Sequence, residues 1–364
     1  MKYILILLLS ISIVAIAFFN KGYKKKYQPP ATTESISEYN GDEPVPVPLN
    51  SADSLQHTGF VLSPDSPLPT DKNIAYTPTL LFAWDEIEKA VKAPVVLTAN
   101  SSPDFHLLQE SMGYQNSLLP GEYKTETSIE ADRITARAFF EKTLPFEYPY
   151  LPMRSPFLFR NTPVQAFGKE VGDYSDPART KILYYQSDDK FILALVPKDS
   201  SQEIILCKGL SPAISLKYML GETDSLIKIG AVEAKSTRNA WKYRLKEADE
   251  LSIPDIRFNL YKNYSSLLEQ EFSASNSAYS IIAAYQQTAF SLNQRGAVVA
   301  STSMVLAAVV DTGGAKSIEH PKKLLLNKPF LLLLRNIKRN EPYFMLKVDN
   351  TEILNPLDKR NPHE

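Results

Sequence analysis

The sequence predicts an α+β fold. From Asn73 onward, helical patterns are interspersed with many short strands of antiparallel type, without the strict alternation of a parallel α/β chain. Apolar residues make up 44% of the chain and charged residues 22%, so its bulk folds. A length of 364 residues can bury one large core or two smaller ones, and no internal repeat divides it.

The same arithmetic excludes several functions. The chain carries 40 basic and 41 acidic side chains, a net charge of −1. A nucleic-acid binder needs surplus Lys and Arg for the phosphates, so no nucleic-acid partner is expected. Cys207 is the sole cysteine, which excludes an intramolecular disulfide framework and a cysteine-rich metal site. His57, His106, His320 and His363 are widely spaced and form no ligand pair, so no metal and no other cofactor is expected.

Taken in order, the chain opens with an uncharged apolar run at residues 3–19. Lys2 precedes it, and Lys21, Lys24, Lys25 and Lys26 come after it. The run is short for a membrane span and slightly long for a signal-peptide core. Ala15-Ile16-Ala17 offers a weak cleavage site. Residues 1–20 therefore read as either a signal peptide or a retained anchor. The lysines would hold their flank in the cytoplasm, which opposes export of the main domain. The expectation is nonetheless a membrane-anchored or exported, extracytoplasmic domain. Residues 21–72 are rich first in lysine and then in proline. Val45-Pro46-Val47-Pro48 must be extended, because each ring fixes φ and removes a donor. This stretch reads as a stiff tether, with residues 73–364 as the folded domain.

Within that domain, Leu80, Ala83, Trp84, Ile87 and Val91 share one helical face. Residues 129–142 show a second amphipathic pattern. Strands are expected at 181–185 and 191–197, joined through a turn at Ser187-Asp188-Asp189-Lys190. Another is expected at 204–207, followed by a helix at 216–229. Residues 240–245 and 256–260 alternate as strands, 261–272 read as a helix, and 279–293 read as one long strand. Residues 324–336 and 343–348 make a closing strand pair.

Motifs of catalysis are scarce. The chain has no Gly-x-Ser-x-Gly elbow and no phosphate-cradling glycine loop. Ser187-x-x-Lys190 and Ser225-x-x-Lys228 match a Ser-x-x-Lys spacing. The first falls in a turn of solvated residues, and the second lacks a companion Lys-Thr-Gly. Cys207 falls on a strand and is expected in the core. No motif supports an enzyme.

The informative segment lies after Gly296. Residues 297–310, AVVASTSMVLAAVV, contain no charge, proline or glycine. The run is too short to span a bilayer and rich in β-branched residues, which favours strand over helix. Asp311-Thr312-Gly313-Gly314-Ala315-Lys316 comes next as loop. Two readings stand: a permanent central strand, or a segment that is a loop in one state and a strand in another. Left exposed, such a run is an aggregation hazard. A prepared slot in the protein's own sheet would resolve it.

At this point the sequence resembles the serpin family of serine protease inhibitors. Ile253–Phe258 followed by Tyr261–Leu268 is similar to the family's strand-then-helix segment. Gln287–Gly296 resembles the strand that runs into the reactive-loop hinge. Asn327–Leu331 and Pro342–Val348 are similar to its C-terminal strand pair, and Lys181–Pro197 to another pair. Asn73–Pro78 resembles the opening strand, with Thr77 where serine is usual. Likeness covers about Thr180–Asn355, with a weaker trace over 73–179.

The resemblance implies a large mixed or antiparallel sheet, further sheets and a helical layer. It implies a reactive loop at about 297–320, hinged at Gln294, Arg295, Gly296, Ala297, Val298, Val299, Ala300, Ser301 and Thr302. A target protease cuts the loop and is acylated by it, and the loop then enters the sheet as a new strand. The inhibitor contributes no catalytic residue. Alternate side chains Ala297, Val299, Ser301, Ser303 and Val305 are small or modest and uncharged, so that set can enter a core. The family's usual spacing from Gly296 places the cut at Val310–Asp311, which suits an elastase-like protease; Lys316 is the rival position and suits a trypsin-like one. The chain departs from the pattern at Gln294-Arg295, where acidic residues are frequent, and at Ala297, where a hydroxyl is common. Val298 and Val299 are bulkier than usual. The stretch from Gly296 to Asn327 is several residues longer, and the region 73–179 is short for the N-terminal helices. The second reading within the family is a non-inhibitory binding or scaffold protein on a membrane tether.

Overall fold

The computed structural model describes residues 50–111, 116–130, 133–140, 142–173, 179–297, 321–339 and 341–357. All belong to one unit, Tyr39–Glu364. The anchor run at 3–19, most of the expected tether, and residues 298–320 lie outside them.

The largest sheet has seven strands: β12 (Thr180–Ser187), β13 (Lys190–Leu195), β14 (Gln202–Lys208), β22 (Phe330–Asn336), β23 (Phe344–Val348), β3 (Asn73–Tyr76) and β2 (Thr58–Phe60), in that spatial order. Every pair is antiparallel except β2 with β3. Its strands are near-continuous apolar runs because both faces are buried. Phe191, Leu193, Ile204, Leu206, Leu332 and Leu346 enter one core. Ile74, Ile192, Ile205, Cys207, Leu331 and Leu333 enter another on the opposite face. The α3 helix (Leu216–Glu233) covers the second face through Leu216 and Met219, and the Ser215 hydroxyl caps it by accepting from Tyr218 N at 3.3 Å.

The second sheet orders β1 (Asn50–Ser51), β16 (Ile256–Asn263), β19 (Tyr285–Asn293), β20 (Gly296–Ala297) and β7 (Leu144–Pro145). A third joins β21 (Lys323–Leu325), β15 (Glu250–Pro254), β11 (Ala166–Lys169) and β8 (Leu151–Pro152). Smaller pairings link β9 (Phe157–Phe159) with β10 (Thr162–Val164), and β4 (Val96–Leu97) with β17 (Glu271–Ala274) and β18 (Ser277–Ser280). The last pairs β5 (Tyr123–Glu130) with β6 (Arg133–Phe140). Two further helices, α1 (Thr79–Val91) and α2 (Pro103–Glu110), complete the described elements of the α+β fold. The α1 helix is buried on two sides. Leu81 and Trp84 pack with Phe105 and Phe272, while Phe82 turns to the main core and stacks on Tyr123 at 4.2 Å.

Four expectations are corrected. Residues 129–142 are not helical: β5 and β6 pair in register from Tyr123–Phe140 to Glu130–Arg133. The stretch 261–272 is not a helix, since β16 runs to Asn263 and only Ser265–Leu267 turns. Positive φ at Glu269 (61°) then breaks any helical run. Ala240–Tyr243 is a 3₁₀ turn rather than a strand; Lys242 and Tyr243 reach back to Glu233 at the end of α3. Residues 279–293 are two strands, interrupted at 281–284, where backbone groups instead bond Glu269, Gln270 and Tyr264. Ordered elements also begin within the stretch read as tether. There β1 pairs with β16, β2 pairs with β3, and Ala52, Val61 and Leu62 are buried.

Candidate functional site

The site is built from the hinge and the strand before it. In β19, Gln286, Thr288, Phe290 and Leu292 point inward, while Gln287 is exposed. Phe290 stacks on Phe344 at 4.5 Å and tilts against Phe258 at 5.9 Å. Gln286 accepts from Tyr264 Oη at 2.9 Å and donates to Thr77 Oγ1. These contacts fix the inner face of β19 on the core.

At Asn293 the chain reverses through Gln294 and Arg295. Arg295 N donates to Asn293 Oδ1 at 2.8 Å. Phe146 N donates to the Arg295 carbonyl at 2.9 Å and Tyr150 N to the Gln294 carbonyl at 2.8 Å. The turn delivers β20 back along β19, antiparallel, with Leu292 opposite Ala297 and Asn293 opposite Gly296. On its other side β20 pairs with β7, Ala297 opposite Leu144 and Gly296 opposite Pro145. A side chain at 296 would force the backbone to shift. The φ of Gly296 is +138°, and a Cβ there would lie 2.4 Å from the Leu144 carbonyl oxygen and 2.7 Å from Pro145 Cα.

Among the described residues, this arrangement leaves an edge of β19 without a strand partner. Along the side of β19 that faces β20, pairing covers Leu292 and Asn293; among the described residues no strand pairs with Gln286–Ser291 on that side. The α1 helix packs on β6 and β5 and only touches β19. Among the hinge residues read from the sequence, Gln294, Arg295, Gly296 and Ala297 are thus brought together at the mouth of this edge. Val298, Val299, Ala300, Ser301, Thr302, Val310, Asp311 and Lys316 lie outside the described residues.

Thr288 was read from the sequence only as part of the strand Gln287–Gly296, without a role of its own. Its side chain is 8% exposed, yet its Oγ1 has no hydrogen-bond partner among the described residues. Polar residues at the inward positions of an otherwise apolar alternation, Gln286 and Thr288, were the available signal.

The other candidates do not assemble chemistry. Ser187 Oγ accepts from Asp189 N at 3.3 Å, and Lys190 pairs with Glu222 at 3.0 Å. Ser225 Oγ donates to the Gly221 carbonyl at 2.8 Å. Cys207 is fully buried, and burial pushes its thiol up to about 12, too high to form a thiolate nucleophile near neutral pH. Among the described residues, no three His, Cys, Asp or Glu side chains are grouped to hold a metal. No helix among them is long and apolar enough to cross a membrane, and residues 3–19 lie outside the residues searched.

No known family model matches the chain, and no curated protein matches it. Solved structures do. A tumour-suppressing serpin aligns at 14% identity with a TM-score of 0.34, covering 60% of this chain and 56% of that one. Thyroxine-binding globulin in complex with thyroxine aligns at 11% identity and a TM-score of 0.40, covering 77% and 93%. The thermophilic serpin tengpin in its native state aligns at 13% and 0.35, covering 61% and 57%. This chain therefore spans little more than half the length of the first and third of these proteins.

Proposed function

We propose that the chain is a serpin-like protease inhibitor that acts as a suicide substrate. One observation carries the reading. The strand β20 enters between β19 and β7, the edge of β19 beyond it has no described strand partner, and an uncharged run of chain comes immediately after. That edge is a berth for the segment after Ala297, the demand the sequence resemblance makes.

The steps are those of ordinary protease chemistry. The serine oxygen of the protease attacks the carbonyl carbon of Val310. The amide bond to Asp311 breaks, the Asp311 amine leaves with a proton, and an ester joins Val310 to the protease. The freed segment then extends along β19 and carries the protease with it. Each new ladder hydrogen bond contributes roughly 1 kcal/mol net, and apolar burial about 25 cal/mol per Å². Nothing in the chain needs to act as an acid, base or nucleophile. An elastase-like protease is the favoured target, with cleavage after Lys316 by a trypsin-like one as the rival. Residues 3–19 attach the chain to, or direct it across, a membrane, with the domain on the extracytoplasmic side.

A second reading is a non-inhibitory serpin-like binding or scaffold protein. One observation favours it: β5 and β6 form their own two-stranded sheet, so the sheet that would receive the segment has two long strands among the described residues. Incubation with a panel of elastase-like and trypsin-like proteases, followed by denaturing electrophoresis and mass spectrometry, separates the two. An adduct stable in SDS with a cut at Val310–Asp311 is the result expected of the inhibitor. A clean cut with no adduct across the panel turns the assignment to the scaffold.

A further inference from the structure

We propose that the outer face of α3 is a docking surface for an anionic lipid bilayer. The inference goes beyond the inhibitor reading and does not depend on it.

The α3 helix packs on β12 and buries Leu216, Met219, Thr223 and Gly230. On its opposite side Tyr218, Gly221, Ser225, Ile229 and Val232 recur at intervals of three and four residues, and all are exposed. Ile214, just ahead of the Ser215 cap, extends the line. It is 80% exposed, and Val232 at the other end is 70% exposed. A Cβ at Gly221 would meet nothing within 4 Å, so the middle of the line is open as well. Single exposed apolar residues are ordinary, but Ile214, Tyr218, Ile229 and Val232 in one row form a stripe that marks an interaction surface.

The charge beside the stripe is of one sign. All three acidic side chains of α3 are engaged: Glu222 with Lys190, Asp224 with Arg335, and Glu233 with Lys242 and Tyr243. Lys217, Lys228 and Lys235 are exposed and fall along a single flank of the stripe. Lys217 shares its charge with Asp65 at 2.9 Å. Lys228 and Lys235 stand beside Ile229 and Val232 at the other end. An apolar row next to a row of lysines is the pattern with which a helix lies in the headgroup region of an anionic membrane.

Area argues against a second copy of the chain as the occupant. The row from Tyr218 to Val232 is about 20 Å long on a helix about 10 Å across. That falls well short of the roughly 800 Å² that each partner of a stable dimer buries. A bilayer contact needs less. Attachment through residues 3–19, as proposed above, would hold the face beside a membrane, where a weak contact acts at high local concentration.

The test places a reporter in the stripe of the full chain. Cys207 is fully buried, so Ser225→Cys can be labelled selectively in the native state with an environment-sensitive dye. Asn276→Cys, in the exposed turn between β17 and β18, is the control. With phosphatidylglycerol vesicles, emission from position 225 should shift to the blue and its quenching by acrylamide should fall several-fold, while position 276 keeps both values. Phosphatidylcholine vesicles should produce little of either change. Lys228→Glu combined with Lys235→Glu should remove most of the shielding at 225 and leave the melting temperature unchanged, since each lysine near an anionic surface contributes roughly a fivefold factor. Equal shielding at 225 and 276, equal shielding on both lipids, or no shielding at 225 overturns the docking face. In those cases flotation of the chain with the vesicles leaves attachment through residues 3–19 standing, and its absence removes that attachment too. Shielding at 225 that grows with protein concentration without lipid overturns the proposal in favour of a second copy.

Discussion

The Lys322 ammonium lies 2.7 Å from the Asp249 carboxylate, and both side chains are 1% exposed. Asp249 also accepts from Lys322 N at 2.7 Å and Lys246 N at 2.8 Å, while Lys322 Nζ donates to the Trp241 carbonyl at 3.3 Å. Lys322 directly precedes β21, whose pairing with β15 starts at Lys323 opposite Glu250. The pair therefore pins the chain at the start of β21. Asp249→Ala should cost about 3–5 kcal/mol, because it strands a buried ammonium and two backbone donors. Replacing both partners by Leu and Met should cost less than the single change, since no charge is then left behind. Urea denaturation measures both. A loss below about 1 kcal/mol for Asp249→Ala would mean that water solvates the pair.

Cys207 offers a built-in reporter. It is fully buried, its thiol is raised to about 12 by burial, and Thr223 Oγ1 donates to its sulfur at 3.6 Å. An aromatic disulfide reagent at pH 8 should therefore react only as fast as the seven-stranded sheet opens. Its rate should rise with urea along the unfolding limb. Stoichiometric labelling within seconds in the native state contradicts this burial.

The apolar runs of the largest sheet were legible because both faces are buried, so Phe191–Leu195, Ile204–Cys207 and Phe330–Leu334 needed no knowledge of partners. The helix expected at 216–229 is α3, where the Ser215 hydroxyl caps the first turn and Leu216 and Met219 are buried. Non-local pairing defeated the reading elsewhere. Within 129–142, Ile134 and Ala138 mimic a helical stripe, but the register with Tyr123–Glu130 decides the structure. Tyr264, Leu267 and Leu268 have helical spacing too; Tyr264 and Leu267 are buried against Trp84 and Phe272 by a single turn. Gly296 was read as part of a hinge from the resemblance, and in the structure it is the first residue of β20. That its neighbours are locked between β19 and β7 was not legible, because Leu144 and Pro145 lie about 150 residues away in sequence.

Asp255 joins β15 to β16 and is 8% exposed; burial raises its carboxyl to about 7, with a hydrogen bond from Asn355 pulling the other way. Its Oδ1 has no partner among the described residues. An unfolded Asp titrates near 3.9. Between roughly pH 4 and 7 the folded chain thus keeps a proton that the unfolded chain has lost, and this group's contribution to stability falls as pH rises. Above about 7 the penalty is constant, at most about 4 kcal/mol. Asp255→Asn should therefore stabilise the chain at pH 8 and lose that advantage by pH 4. Parallel stability–pH curves for the two proteins would remove Asp255 as the cause.

Gly296→Ala tests how β20 is held between β19 and β7. The added Cβ would fall 2.4 Å from the Leu144 carbonyl oxygen and 2.7 Å from Pro145 Cα, both backbone atoms that cannot rotate aside, and φ is +138°. Such a conformation costs an L-residue about 1–3 kcal/mol. The cheapest relief is for β20 to leave β7, which also frees the Phe146 and Tyr150 amides from the Arg295 and Gln294 carbonyls. Their hydrogen exchange should quicken by about 10–100-fold, since 1.4 kcal/mol is a factor of ten. Amides of β14 and β22, which pair with each other in a different sheet from β19, β20 and β7, should keep their protection. Unchanged exchange at Phe146 and Tyr150 would show that the turn holds without β20. In that event the entry between β19 and β7 would not depend on the missing side chain at 296.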